Sequence, residues 1–194
     1  MIPAGTRLTH ARNGDDFIFL SEPDDWRAQC LKLRMRLTPG RTWAPRHYHT
    51  EYDETLRVES GRLTLLMNDS RWTITPKDGT LLIPRGVVHA FWNEHDAVTM
   101  LYAEIKPCFE LERGVLAAYG MARDGSSSRW DLPYEPLQAG LLLSLLKSHS
   151  PWVPLSLQNA YTEWCRRLAA RLGRAADFPD HRAEHWPRDA RAEP

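Results

Sequence analysis

Gly40-Arg-Thr-Trp-Ala-Pro-Arg-His47-Tyr-His49-Thr-Glu-Tyr-Asp-Glu54-Thr-Leu-Arg-Val-Glu-Ser-Gly61 places potential metal ligands between two turn-forming glycines. His47 and His49 are separated by one residue. On a strand both imidazoles therefore leave the same face, about 7 Å apart along the chain. A carboxylate at Glu54 follows on the next strand, and a further imidazole, His89, comes from a distant one. Together they would complete a shell of three imidazoles and one carboxylate. That donor set suits borderline divalent metals: Fe, Mn, Ni, Cu, Co or Zn. Glu51, two residues past His49, competes with Glu54 for the carboxylate place.

Outward from this stretch, the first 106 residues read as short apolar runs separated by turns. The runs are 16–20, 30–37, 63–67, 71–75, 81–83 and 98–105, with turn signals at Pro39-Gly40, Ser60-Gly61, Asn68-Asp69, Asp78-Gly79 and Pro84-Arg-Gly86. Many short strands at this spacing predict an antiparallel sandwich or barrel. The run 30–37 is the clearest. Leu31, Leu33, Met35 and Leu37 share one face, and Lys32, Arg34 and Arg36 the other.

Written as patterns, the ligand region is G-x6-H-x-H-x4-E-x6-G from Gly40 to Gly61, then G-x4-P-x-G-x2-H-x3-N from Gly79 to Asn93. These resemble the two signature motifs of the cupin superfamily, over roughly residues 30–105. Gly40 and His47 stand one residue further apart than in the family pattern, and Gly79 and Pro84 one closer. The ligand spacing is untouched. The resemblance implies an all-β cupin jelly-roll barrel over residues 1–106. Its mouth would hold one divalent transition metal ion on His47, His49, Glu54 and His89. It also implies that Asn93 supports the barrel without binding metal, and that Glu54 shuttles a proton as a catalytic group.

Strand parity predicts the pocket lining. Leu56 and Val58 share the face of Glu54, Phe91 shares that of His89, and Met100 and Tyr102 form one face of the last strand. Trp43 and Trp92 are expected near the rim. Such a pocket is largely apolar and poor in lysine and arginine.

After residue 106 the hydrophobic period lengthens. Helices are predicted over 109–121, 137–148 and 158–172, giving an α-helical extension over 107–173 and a frayed tail over 174–194. Leu137, Leu141, Leu142, Leu145 and Leu146 make a stripe wide enough to require burial against the barrel, the neighbouring helix, or a second copy in a homodimer. In the last helix the predicted stripe is Tyr161, Trp164, Cys165 and Leu168. His181 and His185, spaced for chelation on a helix, fall in the tail.

The 194 residues carry 25 basic and 25 acidic side chains, a balance that argues against nucleic acid as the partner. Three well-separated cysteines predict packed thiols. No apolar leader and no transmembrane segment are expected, which points to the cytoplasm. The functional expectation is an oxidoreductase, dioxygenase-like, acting on a small organic and partly aromatic molecule. The alternatives are a non-oxidative isomerase or lyase with Tyr48, Tyr52 or Tyr102 as acid or base, and a ligand-binding barrel without turnover.

Overall fold

A computed structural model of the chain describes residues 2–42, 45–174, 178, 181 and 186–188. Strands β1 (Arg7–Thr9) and β2 (Asp16–Phe19) lead through a short helix, α1 (Pro23–Arg27), into β3 (Leu31–Leu37) and β4 (Arg41–Thr42). The ligand region then forms β5 (Tyr48–His49), β6 (Asp53–Ser60), β7 (Leu63–Met67), β8 (Ser70–Ile74), β9 (Thr80–Ile83), β10 (His89–Asn93) and β11 (Thr99–Lys106). Helices α2 (Leu111–Arg123) and α3 (Pro136–Leu146), a two-residue strand β12 (Ser148–His149) and helix α4 (Leu155–Arg171) follow.

The strands form a six-stranded sheet, β1-β2-β3-β11-β6-β9, and a four-stranded sheet, β4-β10-β7-β8. β12 pairs with β5 as a separate ladder. Apolar residues of both sheets meet in one core, with Phe17, Phe19, Leu33, Met35, Leu56, Leu65 and Phe91 buried together. Two antiparallel sheets around one core are the arrangement that the cupin resemblance implies. The alternation in β3 carries through: its leucines and Met35 are buried. Lys32 and Arg34 reach out to Asp25 and Glu59 at 2.7 and 2.8 Å.

The turn after β6 depends on Gly61. Its φ is +82°, and a Cβ there would stand 2.5 Å from the Val98 carbonyl and 2.9 Å from Thr99 Cα. Both obstacles are backbone, so neither can yield as a side chain would.

One expected face is reversed. In β11 the buried residues are Thr99, Leu101, Ala103 and Ile105. The register against β6 explains this: Leu101, Ala103 and Ile105 stand opposite Val58, Leu56 and Glu54, and directly opposed residues share a face. Met100 and Tyr102 therefore point outward. The Tyr102 hydroxyl bonds to Glu104 at 2.6 Å, and the Arg57 guanidinium lies over its ring.

The three helices stand close to their predicted places. α2 adds Leu111, Leu116 and Tyr119 to the barrel core. The leucine stripe of α3 is covered within the chain: Leu137 and Leu141 meet Cys165 and Ala169 of α4, and Leu142 meets Ala117 and Met121 of α2. The close approach of α3 and α4 requires Gly140, where a Cβ would meet Cys165 Sγ at 2.3 Å. Trp164, expected on the inward stripe of α4, is instead exposed. Of the expected tail over 174–194, most lies outside the described residues; among those described, Phe178 and His181 are partly buried and Trp186 is buried. Trp186 joins the barrel core beneath Arg123, His181 fills the space over Gly120, and the Pro187 carbonyl accepts from the Arg7 amide. Among the described residues no helix is long and apolar enough to cross a membrane.

Candidate metal centre

The site forms where the two sheets face each other. His47 and His89 exchange both backbone hydrogen bonds, at 3.0 and 2.8 Å, which sets their side chains on one face. His49, two residues on, shares that face as the His-x-His spacing predicts. The ring centroids lie 4.8 Å apart for His47 and His49, 4.4 Å for His47 and His89, and 5.3 Å for His49 and His89. One nitrogen of each lies within 4.8 Å of the others.

Glu54 comes from the opposite sheet. Its neighbours across β6 are Ile105 and Ile83, so its carboxylate lies between apolar walls. Oε2 stands 3.4 Å from His89 Nε2. His49, Glu54 and His89 are buried, and His47 is half-buried. The approach to the cluster therefore lies on the His47 side. Glu51, the competing carboxylate, turns outward to pair with Lys147 at 3.3 Å.

Each histidine uses Nδ1 in the same way. His47 Nδ1 lies 2.8 Å from the Pro45 carbonyl, His89 Nδ1 3.0 Å from that of Val87, and His49 Nδ1 3.3 Å from that of Lys147. A proton held on Nδ1 by a carbonyl leaves Nε2 with its lone pair, the form in which imidazole binds a metal. His89 Nε2 is buried and makes no hydrogen bond of good geometry, its charged neighbour being the Glu54 carboxylate at 3.4 Å. A metal ion at the cluster would be held by both groups and would satisfy that nitrogen. The three imidazoles and the carboxylate fit a divalent transition metal.

The electrostatics favour neutral imidazoles at His47 and His49. Burial, with the neighbouring His89 adding to it, pushes His47 down to about 4. Burial and the two neighbouring histidines hold His49 well below the ordinary value. For His89, burial is the largest influence and acts downward, but the Glu54 carboxylate and the Val87 carbonyl outweigh it and raise the group.

Of the expected pocket residues, Leu56, Val58 and Phe91 are buried on the ligand-bearing faces, where parity placed them. Met100 and Tyr102 are on the outer surface, and Trp43 lies outside the described residues. Asn93 binds no site atom. It ties β3 to the β10–β11 turn by donating to the Leu37 and Ala97 carbonyls at 3.1 and 2.8 Å. His181 is far from a chelating role, packed on α2, and His185 lies outside the described residues. Of the three tyrosines considered as acids or bases, Tyr52 alone touches a site histidine through its hydroxyl, 3.2 Å from His49 Nε2.

Residues 33–105 match the family described as "Cupin domain". This segment is a cupin domain. Two curated relatives of this cupin are fungal. "Oxidoreductase iacF" of Pestalotiopsis fici is 34% identical over 96 residues, 46% of this chain and 46% of that protein. "Probable oxidoreductase virH" of Hypocrea virens is 31% identical over 107 residues, 50% of this chain and 48% of that protein. The chain thus spans about half the length of the curated relatives it matches. Solved structures similar to it include the Schizosaccharomyces pombe Cnp3 cupin domain, with a TM-score of 0.41 and 15% identity over 47% of this chain and 63% of that one. Another is a Cupin 2 conserved barrel domain protein from Salinispora arenicola, with a TM-score of 0.41 and 22% identity over 50% and 79%.

Proposed function

We propose that this cupin is a metal-dependent oxidoreductase, dioxygenase-like, acting on a small organic molecule at a centre built from His47, His49, Glu54 and His89. The observation that carries the reading is the convergence of three imidazoles from the motif positions, with a buried carboxylate 3.4 Å from one of them. The oxidoreductase names of the two fungal relatives support the reaction class.

A bound divalent metal would supply Lewis acidity and a redox centre beside the substrate. The chain's own residues do the rest. His47, half-buried, marks the side from which substrate enters. Leu56, Val58 and Phe91, packed in the core on the ligand-bearing faces, keep bulk water from the inner side of the cluster. Glu54, between Ile83 and Ile105, would hold the metal and receive or return a proton at its carboxylate oxygen.

The test is reconstitution with Fe(II) under anaerobic conditions, followed by oxygen uptake against flavonols and catechols. Uptake abolished by His47→Ala and by Glu54→Gln is the expected result. Full metal occupancy with no uptake for any substrate would count against the oxidative reading. Turnover that persists without oxygen would transfer the site to the isomerase or lyase class.

A further inference from the structure

We propose that the helical extension is a working part of the metal centre, with Tyr52 and the backbone of Leu146 and Lys147 positioning His49. This inference rests on the metal-site reading above and concerns the side of the cluster away from His47.

His47 and His89 each find their Nδ1 acceptor two residues upstream. His49 has its acceptor 98 positions away, at the Lys147 carbonyl. The last carbonyls of a helix have no partner within it and carry the negative end of its dipole. At the end of α3, Lys147 takes the left-handed conformation, with φ 51° and ψ 31°. The chain then turns directly into β12, where Ser148 pairs with His49 and His149 with Tyr48. Two carbonyls that helix geometry leaves free are thereby directed at the ligand strand.

Tyr52 completes the connection. Its hydroxyl donates to the Leu146 carbonyl at 3.0 Å, and its ring stacks on His49 with centroids 4.1 Å apart and planes inclined by 26°. The same hydroxyl lies 3.2 Å from His49 Nε2. Its single proton goes to the Leu146 carbonyl, so the Nε2 lone pair is left to a metal. Tyr52 fixes the plane of the ligand and the Lys147 carbonyl fixes its rotation. A metal on Nε2 withdraws electron density and makes Nδ1–H a stronger donor. Metal binding and docking of the α3–β12 corner therefore favour each other, by linkage.

The test uses the full chain. Co(II) binding is followed by its ligand-field absorption, and hydrogen exchange of the 146–149 amides is measured with and without Zn(II). Tyr52→Phe is expected to weaken Co(II) binding about 10- to 100-fold and to shift the absorption bands, while retaining the far-ultraviolet circular dichroism of the wild type. Zn(II) is expected to slow exchange at 146–149 about tenfold or more in the wild type and less in the variant. Wild-type affinity and bands in Tyr52→Phe, or exchange indifferent to Zn(II), overturns the proposal and leaves the metal site standing. A wild type that binds no Co(II), or binds it equally well after His47→Ala, overturns both.

Discussion

Glu54 Oε2 and His89 Nε2 face each other at 3.4 Å from strands of different sheets, and both side chains are buried. The proposed centre thus spans the two sheets, and its geometry depends on how they pack. Glu54→Gln keeps the volume and removes the charge. It is expected to lower affinity for Zn(II) or Co(II) about tenfold or more while preserving the fold. Equilibrium dialysis of the variant beside the wild type measures this, and equal affinities would remove Glu54 from the ligand set.

Acid should destabilise the metal-free protein. His47 and His49 have folded-state values below the ordinary 6.5, so the unfolded chain binds protons more readily. Their contribution is present above pH 6.5 and is lost as pH falls toward about 4, the folded value of His47. His89, whose folded value is raised, contributes in the opposite sense: its part is present below 6.5 and lost as pH rises through its folded value. With two groups against one, the melting temperature should fall between pH 7 and pH 4. Replacing His47 and His49 with glutamine should flatten that slope in a thermal-shift series.

The reversal of β11 makes a contrast that mutation can read. Phe91, fully buried in the shared core, should cost about 3–5 kcal/mol on replacement by alanine. Met100→Ala and Tyr102→Phe, on the outer face, should each cost under about 1 kcal/mol and leave metal affinity unchanged. Urea unfolding of the three variants separates the cases. A loss of metal binding in Tyr102→Phe would restore that residue to the site.

Gly61→Ala combines a positive φ with contacts to backbone at 2.5 and 2.9 Å. About 2–4 kcal/mol of destabilisation is expected, from strain and overpacking together. A denaturation midpoint within error of the wild type would show that the β6–β7 turn can relax around a methyl group.

The fold and the candidate site were legible in the sequence to unequal degrees. Alternation in Leu31–Leu37 is unambiguous because the opposite face is Lys, Arg and Arg, and its burial follows. In 98–105 both faces carry apolar side chains, and Met100 and Tyr102 look as suited to a core as Leu101 and Ala103. Pairing with Val58 and Leu56 across the ladder settles which face is inside. Tyr52 stands three residues past His49, a spacing that no strand period brings together, so its place on that imidazole is invisible in one dimension. Trp186 likewise sits in a segment whose proline, arginine and aspartate content reads as tail. Its burial comes from contacts with the barrel core far away in sequence.

By itself, the sequence determined the local quantities: the side-chain alternation of the strands, the turns at glycine, the helical period after residue 106 and the identity of the histidines. Each follows from spacing along the backbone, which chain geometry fixes within a few residues. Tertiary structure decided what depends on register and on groups without a side-chain signal. It turned the outer face of β11 away from the core and set Glu54 against His89. It also brought the Lys147 carbonyl to His49, because a backbone acceptor at a helix end is the same atom whatever the residue, and only packing shows where it points.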